Sequence, residues 1–425
     1  MAKLSHEAPG SIVQLAATIL ENTRAIDTFL KEEGLPGPSL HPNAPATPQL
    51  SAEVDLCLQQ ALASIDELTA LLLGPLGWLK LQVGHVYNMV SLHALYRFSI
   101  PTQFSIGEEA SIRDVSMRCS DNGDAMSRIL QHAVTNRFLA QPRPGYIAHS
   151  ACSTLLSQSP ALMDWVGSAC EDLWPAASQV IPALLKWPEL PALPSHTAFN
   201  VAENTDRPFF QALASDPQRT RRFASAMGLM QSMPGFEPLA ALDAYDWASL
   251  RSATVIDVGG SDGAFATALK RKYPTLRVIV QDLPGVIEST RSHLDAAADV
   301  ILQAHNFFDL QPAQDVDVYF FRLILHDWPD EFCSKILRQL IPTLKPGTRI
   351  IVNDLMVPPL GSVPIYQERQ IRCQDLAMLA LFNSKERSRE EWTKLITATD
   401  TRFRINSIIQ VSTSPLGLLE IVWTP

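Results

Sequence analysis

The chain has 425 residues, enough for two or three domains around a large core. Hydrophobic residues make up 46% and charged residues 18%, the balance of a globular protein and not of a disordered one. A formal net charge of −10 argues against a nucleic-acid partner, whose phosphates demand a basic face.

The first residues, Met1 to His6, lack a basic region followed by an apolar run, so no signal peptide is expected. A helical period runs from Ser11 to Lys31, with Ile12, Leu15, Ala16, Ile19, Ile26 and Leu30 on one face. Before a proline-rich linker over residues 34–50, such a lone helix is expected to bury its stripe on another domain or another subunit. A second amphipathic helix is expected over Ser51 to Leu73. The most apolar stretch, Leu68 to Val90, is interrupted by Pro75, Lys80, Gln82 and His85, which predicts a core helix and not a membrane span. The six cysteines (Cys57, Cys119, Cys152, Cys170, Cys333 and Cys373) are scattered without a Cys-x-x-Cys pair. Free buried thiols in a reducing compartment are expected, and a zinc site or a disulfide framework is not. Together these features predict a cytoplasmic protein with no membrane association.

Residues 51–160 form a first domain in this reading. Short helices over Ala110 to Arg118 and Asp124 to Phe138, and a hairpin tip at Pro142 to Tyr146, point to a winged-helix arrangement. Arg128, His132 and Arg137 are too few basic groups for DNA recognition in an acidic chain, which leaves a scaffold that packs on a partner subunit. Residues 161–250 read as a helical connector. Its helix from Asp216 to Met233 carries Met227, Met230 and Met233, with Phe199, Phe209 and Phe210 before it, a stripe that suits a core or a pocket for a flat ligand.

From residue 251 strands and helices alternate, the pattern of an α/β doubly wound sheet. Strands are expected at 254–257, 277–281, 300–303, 316–321, 349–354, 404–410 and 417–423, the last two as an antiparallel hairpin. The run Thr254 to Gly263 is strand, glycine turn and helix start, the opening of a nucleotide-type unit. It fits neither a dinucleotide fingerprint, since Ser261 and Ala264 stand at two glycine positions, nor a Walker loop. Asp282, at the end of the second strand, is placed to accept hydrogen bonds from ribose hydroxyls. Further on, an apolar strand from Tyr319 runs into His326-Asp327-Trp328, and Pro329 opens a helix. His326 lies beyond a strand's carboxyl end, where such sheets bind ligands, and its ordinary pKa suits taking a proton from a phenol. Alone it would read as a helix cap. Asp354, ending the next strand, and Glu386, in a later loop, are each candidates to fix its tautomer. Asp327 is expected to face the cofactor or the helix start.

These residues resemble a known family. Asp257-Val-Gly-Gly260, Gln281-Asp-Leu-Pro284, His305-Asn-Phe-Phe308, Arg322 with His326-Asp-Trp328, Asp354, Lys385-Glu-Arg-Ser388 and Arg222 to Met227 are similar to the plant-type, S-adenosylmethionine-dependent O-methyltransferases of the caffeate/flavonoid class, in their fungal secondary-metabolite branch. The resemblance covers nearly everything after residue 50 and implies a class I Rossmann-like methyltransferase domain behind a winged-helix-like dimerisation domain. It implies His326 as general base, flanked by Asp354 and Glu386. Gly259 and Gly260 would line the methionine end of the cofactor, Asp282 and Leu283 its ribose and adenine, Asn306 and Phe307 its adenine, and Arg322 would lie beside it. Met227, Met378 and Phe382 are candidate pocket residues, and a homodimer and a small aromatic substrate are implied, with no metal. Asn306 stands where the family often has aspartate, and Asp354 is shorter than the usual glutamate, which weakens its reach to His326. The rival reading is a methyltransferase-fold pericyclase, cyclase or dehydratase that keeps the cofactor as an unreacting cation.

Overall fold

Thr254–Val258 is buried at every position, as are Val318–Arg322 and nearly all of Arg349–Asn353. Such continuous apolar runs belong to strands covered on both faces, where periodicity of two is lost. They form the middle of a seven-stranded sheet, with strands β1 (Thr254–Val258), β2 (Arg277–Asp282), β3 (Ile301–Ala304), β4 (Val318–Arg322), β5 (Arg349–Asn353), β6 (Phe403–Gln410) and β7 (Gly417–Trp423). The order across the sheet is β3-β2-β1-β4-β5-β7-β6. The first five strands are parallel, and β7 runs antiparallel to both β5 and β6. The chain therefore reverses direction of growth at β1 and β4, the switch point where such sheets open a ligand crevice.

The computed structural model describes residues 11–188, 192–294, 298–411 and 414–425. The expectation about Met1 to His6 lies outside them. The chain forms two compact units, one of Met1–Trp174, Gln218–Leu229 and Leu360–Gln370, the other of Pro175–Pro217, Met230–Pro359 and Ile371–Pro425.

The second unit holds the sheet. On one face Ile336, Leu337, Trp392 and Ile396 close over Tyr319, Phe321, Ile350 and Val352; on the other Trp247, Phe265 and Leu269 close over Val255, Val278 and Phe320. Each fully buried side chain of this size contributes roughly 1.5–3 kcal/mol. The helices Asp330–Leu340 and Arg389–Thr399 supply much of the first layer, and Ser388 starts the latter with a capping box to Glu391. One helix of this region, Ile365–Phe382, has no counterpart among the elements expected from the sequence.

In the first unit, Ile12–Glu32 is a helix opened by a capping box at Ser11. It packs on the helix Ala52–Gly84 of its own unit and buries Leu15, Ile26 and Leu30, while Ile12 and Ala16 of its stripe stay exposed. The short helices Ile112–Cys119 and Gly123–Thr135 fall between the strands of a small sheet in which Tyr146–His149 pairs antiparallel with both Ala110–Ser111 and Leu139–Ala140. The second amphipathic helix runs past Leu73 and is broken, not ended, at Gly74, whose φ of 65° precedes Pro75. The apolar stretch after it is not a core helix. Leu72, Leu76, Leu79 and Val83 are mostly exposed, because none of the described residues of the unit covers this face. By length and composition alone the run Ala52–Arg97 could cross a membrane. The thiols also depart from expectation: Cys170 and Cys333 are buried, but Cys152 and Cys373 are exposed.

Candidate active site

The site lies in the sheet-bearing unit, beyond the carboxyl ends of β1, β4 and β5. Gly259 has a φ of 72°, and a Cβ there would stand 2.5 Å from Ile324 Cδ1. At Gly260 a Cβ would meet Asp257 Oδ2 at 2.7 Å. Both glycine amides donate to the Gln281 carbonyl, at 2.7 and 3.3 Å, which folds the turn back over β2. Ser261 occupies a family glycine position and still takes the left-handed conformation, with φ 49°. Its amide donates to Asp282 Oδ2 at 2.9 Å, and Leu283 N–H donates to Asp282 Oδ1 at 2.7 Å. Asp282 is thus oriented by the turn on one side and by its own neighbour on the other. Leu283 is about half exposed beside it.

A cationic nucleoside-type cofactor can be tested against this cradle. Asp257 is buried, its Oδ2 has no hydrogen-bond partner, and burial pushes its carboxyl up to about 7. The Arg322 guanidinium offsets only part of this burial cost, and a buried carboxylate oxygen without a partner fits an amino-acid ammonium at this end of the turn. Asn306 Oδ1, expected toward an adenine amine, accepts the Phe308 amide at 3.1 Å and keeps one lone pair for a ligand. Phe307 packs at 6.0 Å, edge to face, on Trp328. The residues present therefore fit the group. Gly260→Ala is expected to raise the cofactor Kd at least about tenfold, because the added methyl displaces Asp257; titration calorimetry reads it directly.

The base constellation forms around a short turn, Leu325–Asp327, directly after β4. His326 Nδ1 lies 2.8 Å from Glu386 Oε1. A carboxylate only accepts, so Nδ1 carries the proton and Nε2 is left as the reactive nitrogen. Asp354 is brought to the same place but does not touch the ring: its Oδ2 accepts the backbone N–H of His326 at 3.1 Å. The shorter side chain reaches the turn and not the imidazole. Asp327 lies on the other side of the ring from Glu386. Its Oδ1 stands 3.5 Å from His326 Nε2, on the reactive face, and burial pushes its carboxyl up to about 7. For His326 burial opposes the charged form, but Glu386, Asp327 and Asp354 outweigh it and push the imidazole up to about 10. Among the described residues no cluster of His, Cys, Asp or Glu side chains is arranged to hold a metal ion.

Several supporting residues carry no signal in the sequence. Ser384 Oγ donates to the His326 carbonyl at 2.6 Å, and Asp375 Oδ1 accepts the Glu386 amide at 2.9 Å. Arg387, wholly buried, donates to Asp330, to the Leu325 carbonyl at 3.0 Å and to the Trp328 carbonyl at 2.8 Å, and so clamps the turn that presents His326. Its place in the run Lys385-Glu-Arg-Ser388, which carries the family resemblance, is its only hint in the sequence. Arg387→Met would strand these acceptors and is expected to cost ~2–4 kcal/mol, seen as a lower urea midpoint at unchanged slope. Arg322 is nearly buried and donates to Asn353 Oδ1 and to the Phe236 carbonyl, while its Nε has no partner.

Beside the turn, Phe382 stacks on Phe210 at 5.2 Å, and Phe210 in turn lies 6.3 Å from Trp328. Met378 is half buried on the helix that carries Phe382. Met227 is half buried in the other compact unit.

Comparison with known proteins adds the following. Residues 194–401 match the family model of the O-methyltransferase domain. A grayanic acid biosynthesis cluster O-methyltransferase from Cladonia grayi is 35% identical over 97% of this chain and 88% of its own length. A chlorophenol O-methyltransferase from Trichoderma longibrachiatum is 34% identical over 99% of this chain and 92% of its own. A solved structure described as a pericyclic reaction enzyme superposes with a TM-score of 0.73 at 22% identity, covering 96% of this chain and all of that one.

Proposed function

The chain belongs to the O-methyltransferase family, and from that premise we propose that it moves a methyl group from S-adenosylmethionine to a phenolic or enolic hydroxyl of an aromatic or polyketide-type secondary metabolite, with His326 as general base. The observation that carries this reading is the buried pair His326–Glu386, with Nδ1 committed to the carboxylate and Nε2 left to receive a proton.

When bound, the cofactor supplies a methyl group already activated on a sulfonium. The protein's share is therefore alignment and proton removal. Gly259, Gly260, Asp282, Leu283, Asn306, Phe307 and Arg322 hold the cofactor; His326 accepts the hydroxyl proton at Nε2; Glu386 stabilises the imidazolium, and Asp354 fixes the turn through its backbone. Phe382 and Met378 line the acceptor's pocket. The stacked Phe210–Phe382 pair supports a flat aromatic acceptor, as do relatives named for a chlorophenol and for a biosynthesis cluster. The winged-helix-like unit serves as a dimerisation domain. Its apolar face, Leu72, Leu76, Leu79 and Val83, is exposed among the described residues, and a second copy is the occupant proposed for it. Leu76→Glu with Leu79→Glu is expected to convert a dimer to a monomer in sedimentation analysis; a native protein that sediments as a monomer would overturn this part.

A second reading stays in play because a pericyclic reaction enzyme shares the fold. There the cofactor would remain intact and Arg322 would polarise a carbonyl. The two committed guanidinium nitrogens of Arg322 and the complete His326–Glu386 pair favour methyl transfer. Purified protein incubated with S-adenosylmethionine and a panel of phenols separates the readings by mass spectrometry, since only methyl transfer consumes the cofactor.

A further inference from the structure

A general base must be neutral when the substrate arrives, yet His326 sits among carboxylates. Glu386 faces Nδ1 at 2.8 Å and Asp327 faces Nε2 at 3.5 Å. Asp354, at the end of β5, holds the backbone of the same residue, and Asp375 stands behind Glu386 on its amide. The cations close by are engaged elsewhere. Arg387 is committed to Asp330 and to two carbonyls, and Arg322 to Asn353 and Phe236, with its field shared among Asp257, Asp354 and Glu237. Glu386 Oε2 and Asp354 Oδ1 are buried without a hydrogen-bond partner, so the surplus of negative charge is not met from within the protein. With that surplus, the ring's proton affinity is far above that of an ordinary histidine. Left alone, such an imidazole keeps its proton at neutral pH and cannot take another.

We propose that Asp327 and Glu386 make His326 a charge-selective element for the cofactor: without a bound cation the ring holds its proton well above neutral pH, and when the sulfonium form of the cofactor binds, the Nε2 proton leaves to solvent over a mildly alkaline range, so that there only the loaded protein presents a base. This inference rests on the methyltransferase reading and deepens it, giving Asp327 a positioning role on the reactive face. An oxygen that is hydrogen-bonded to Nε2 and also attacks the sulfonium methyl keeps the two charges within a few ångströms of one another. A unit positive charge about 6 Å away, at an effective dielectric of about 20, lowers an imidazole's proton affinity roughly a hundredfold. The neutral thioether left after transfer has no such charge, so the demethylated cofactor does not compete with the proton. The same carboxylates thereby favour the sulfonium over the thioether and favour the imidazolium once transfer has occurred. The proton count balances: one proton leaves Nε2 for the buffer on loading, and one arrives from the acceptor hydroxyl during transfer.

The test is titration calorimetry of the full-length protein with S-adenosylmethionine and, separately, S-adenosylhomocysteine, at about pH 9 in two buffers of different ionisation enthalpy. The two ligands share the ammonium, so any proton linked to the amino-acid end, including that of Asp257, cancels in the comparison. The sulfonium form is expected to release on the order of one proton more than the thioether. That difference should vanish in His326→Gln and shrink in Asp327→Asn, a variant that keeps the side-chain shape. Equal proton counts for the two ligands in the native protein would overturn the inference and leave the methyltransferase reading standing, as would a difference that survives in His326→Gln. Failure to bind either ligand would overturn both.

Discussion

His326→Ala is expected to lower kcat by about 10²–10⁴-fold while leaving the cofactor bound. The reason lies in where the histidine stands. β4 ends at Arg322, Leu323 takes a left-handed turn with φ 53°, and the chain folds into the short turn that puts the imidazole against Glu386. None of the cradle of Gly259, Gly260 and Asp282 depends on the imidazole, so cofactor titration separates loss of the base from loss of the site. If activity survived within threefold or so, proton removal would not be this residue's task.

Glu386→Gln carries the second large effect, and its sign differs between rate and pH. A glutamine can still accept the Nδ1 proton, so the tautomer is kept. The negative charge that stabilises the imidazolium is lost, and a fall of about 10²-fold in kcat is expected. Glu386 raises the imidazole's proton affinity, so its removal lowers it. Activity requires the neutral ring and rises with pH as the ring loses its proton; the rising limb of the pH–rate profile should therefore move to lower pH in the variant. A limb that stays in place, or moves up, would mean that another group sets it. Asp354→Asn should behave differently, because Asp354 contacts the backbone of the turn and not the ring.

How much of this was legible in the sequence depended on the range of the interaction. β1, β4 and β5 could be read because their burial is continuous and local, and the antiparallel end of the sheet followed from two strands with a short connection. His326, Glu386 and Asp282 could be named because strand ends and a motif place them. The partners that hold them could not. Asp375 reaches Glu386 only through the helix Ile365–Phe382, which has no clear apolar period in the sequence, and Ser384 acts on a carbonyl whose position is set by tertiary packing. The approach of Asp327 to His326 Nε2 is set by the short turn Leu325–Asp327, one that no periodicity encodes. The packing of the first helix on Ala52–Gly84 is not legible, because the linker that lets it fold back carries no pairing signal. The apolar stretch to Val90 was misjudged, since composition reports what wants burial and not what buries it.

The most direct measurement of the central claim is mass spectrometry of purified protein with S-adenosylmethionine and a panel of phenolic polyketides, with His326→Ala run beside it. The account predicts S-adenosylhomocysteine and a product heavier by one methylene, about 14 daltons, in equal amounts, with both lost in the variant. A substrate rearranged without gain of mass, with the cofactor intact, would contradict it.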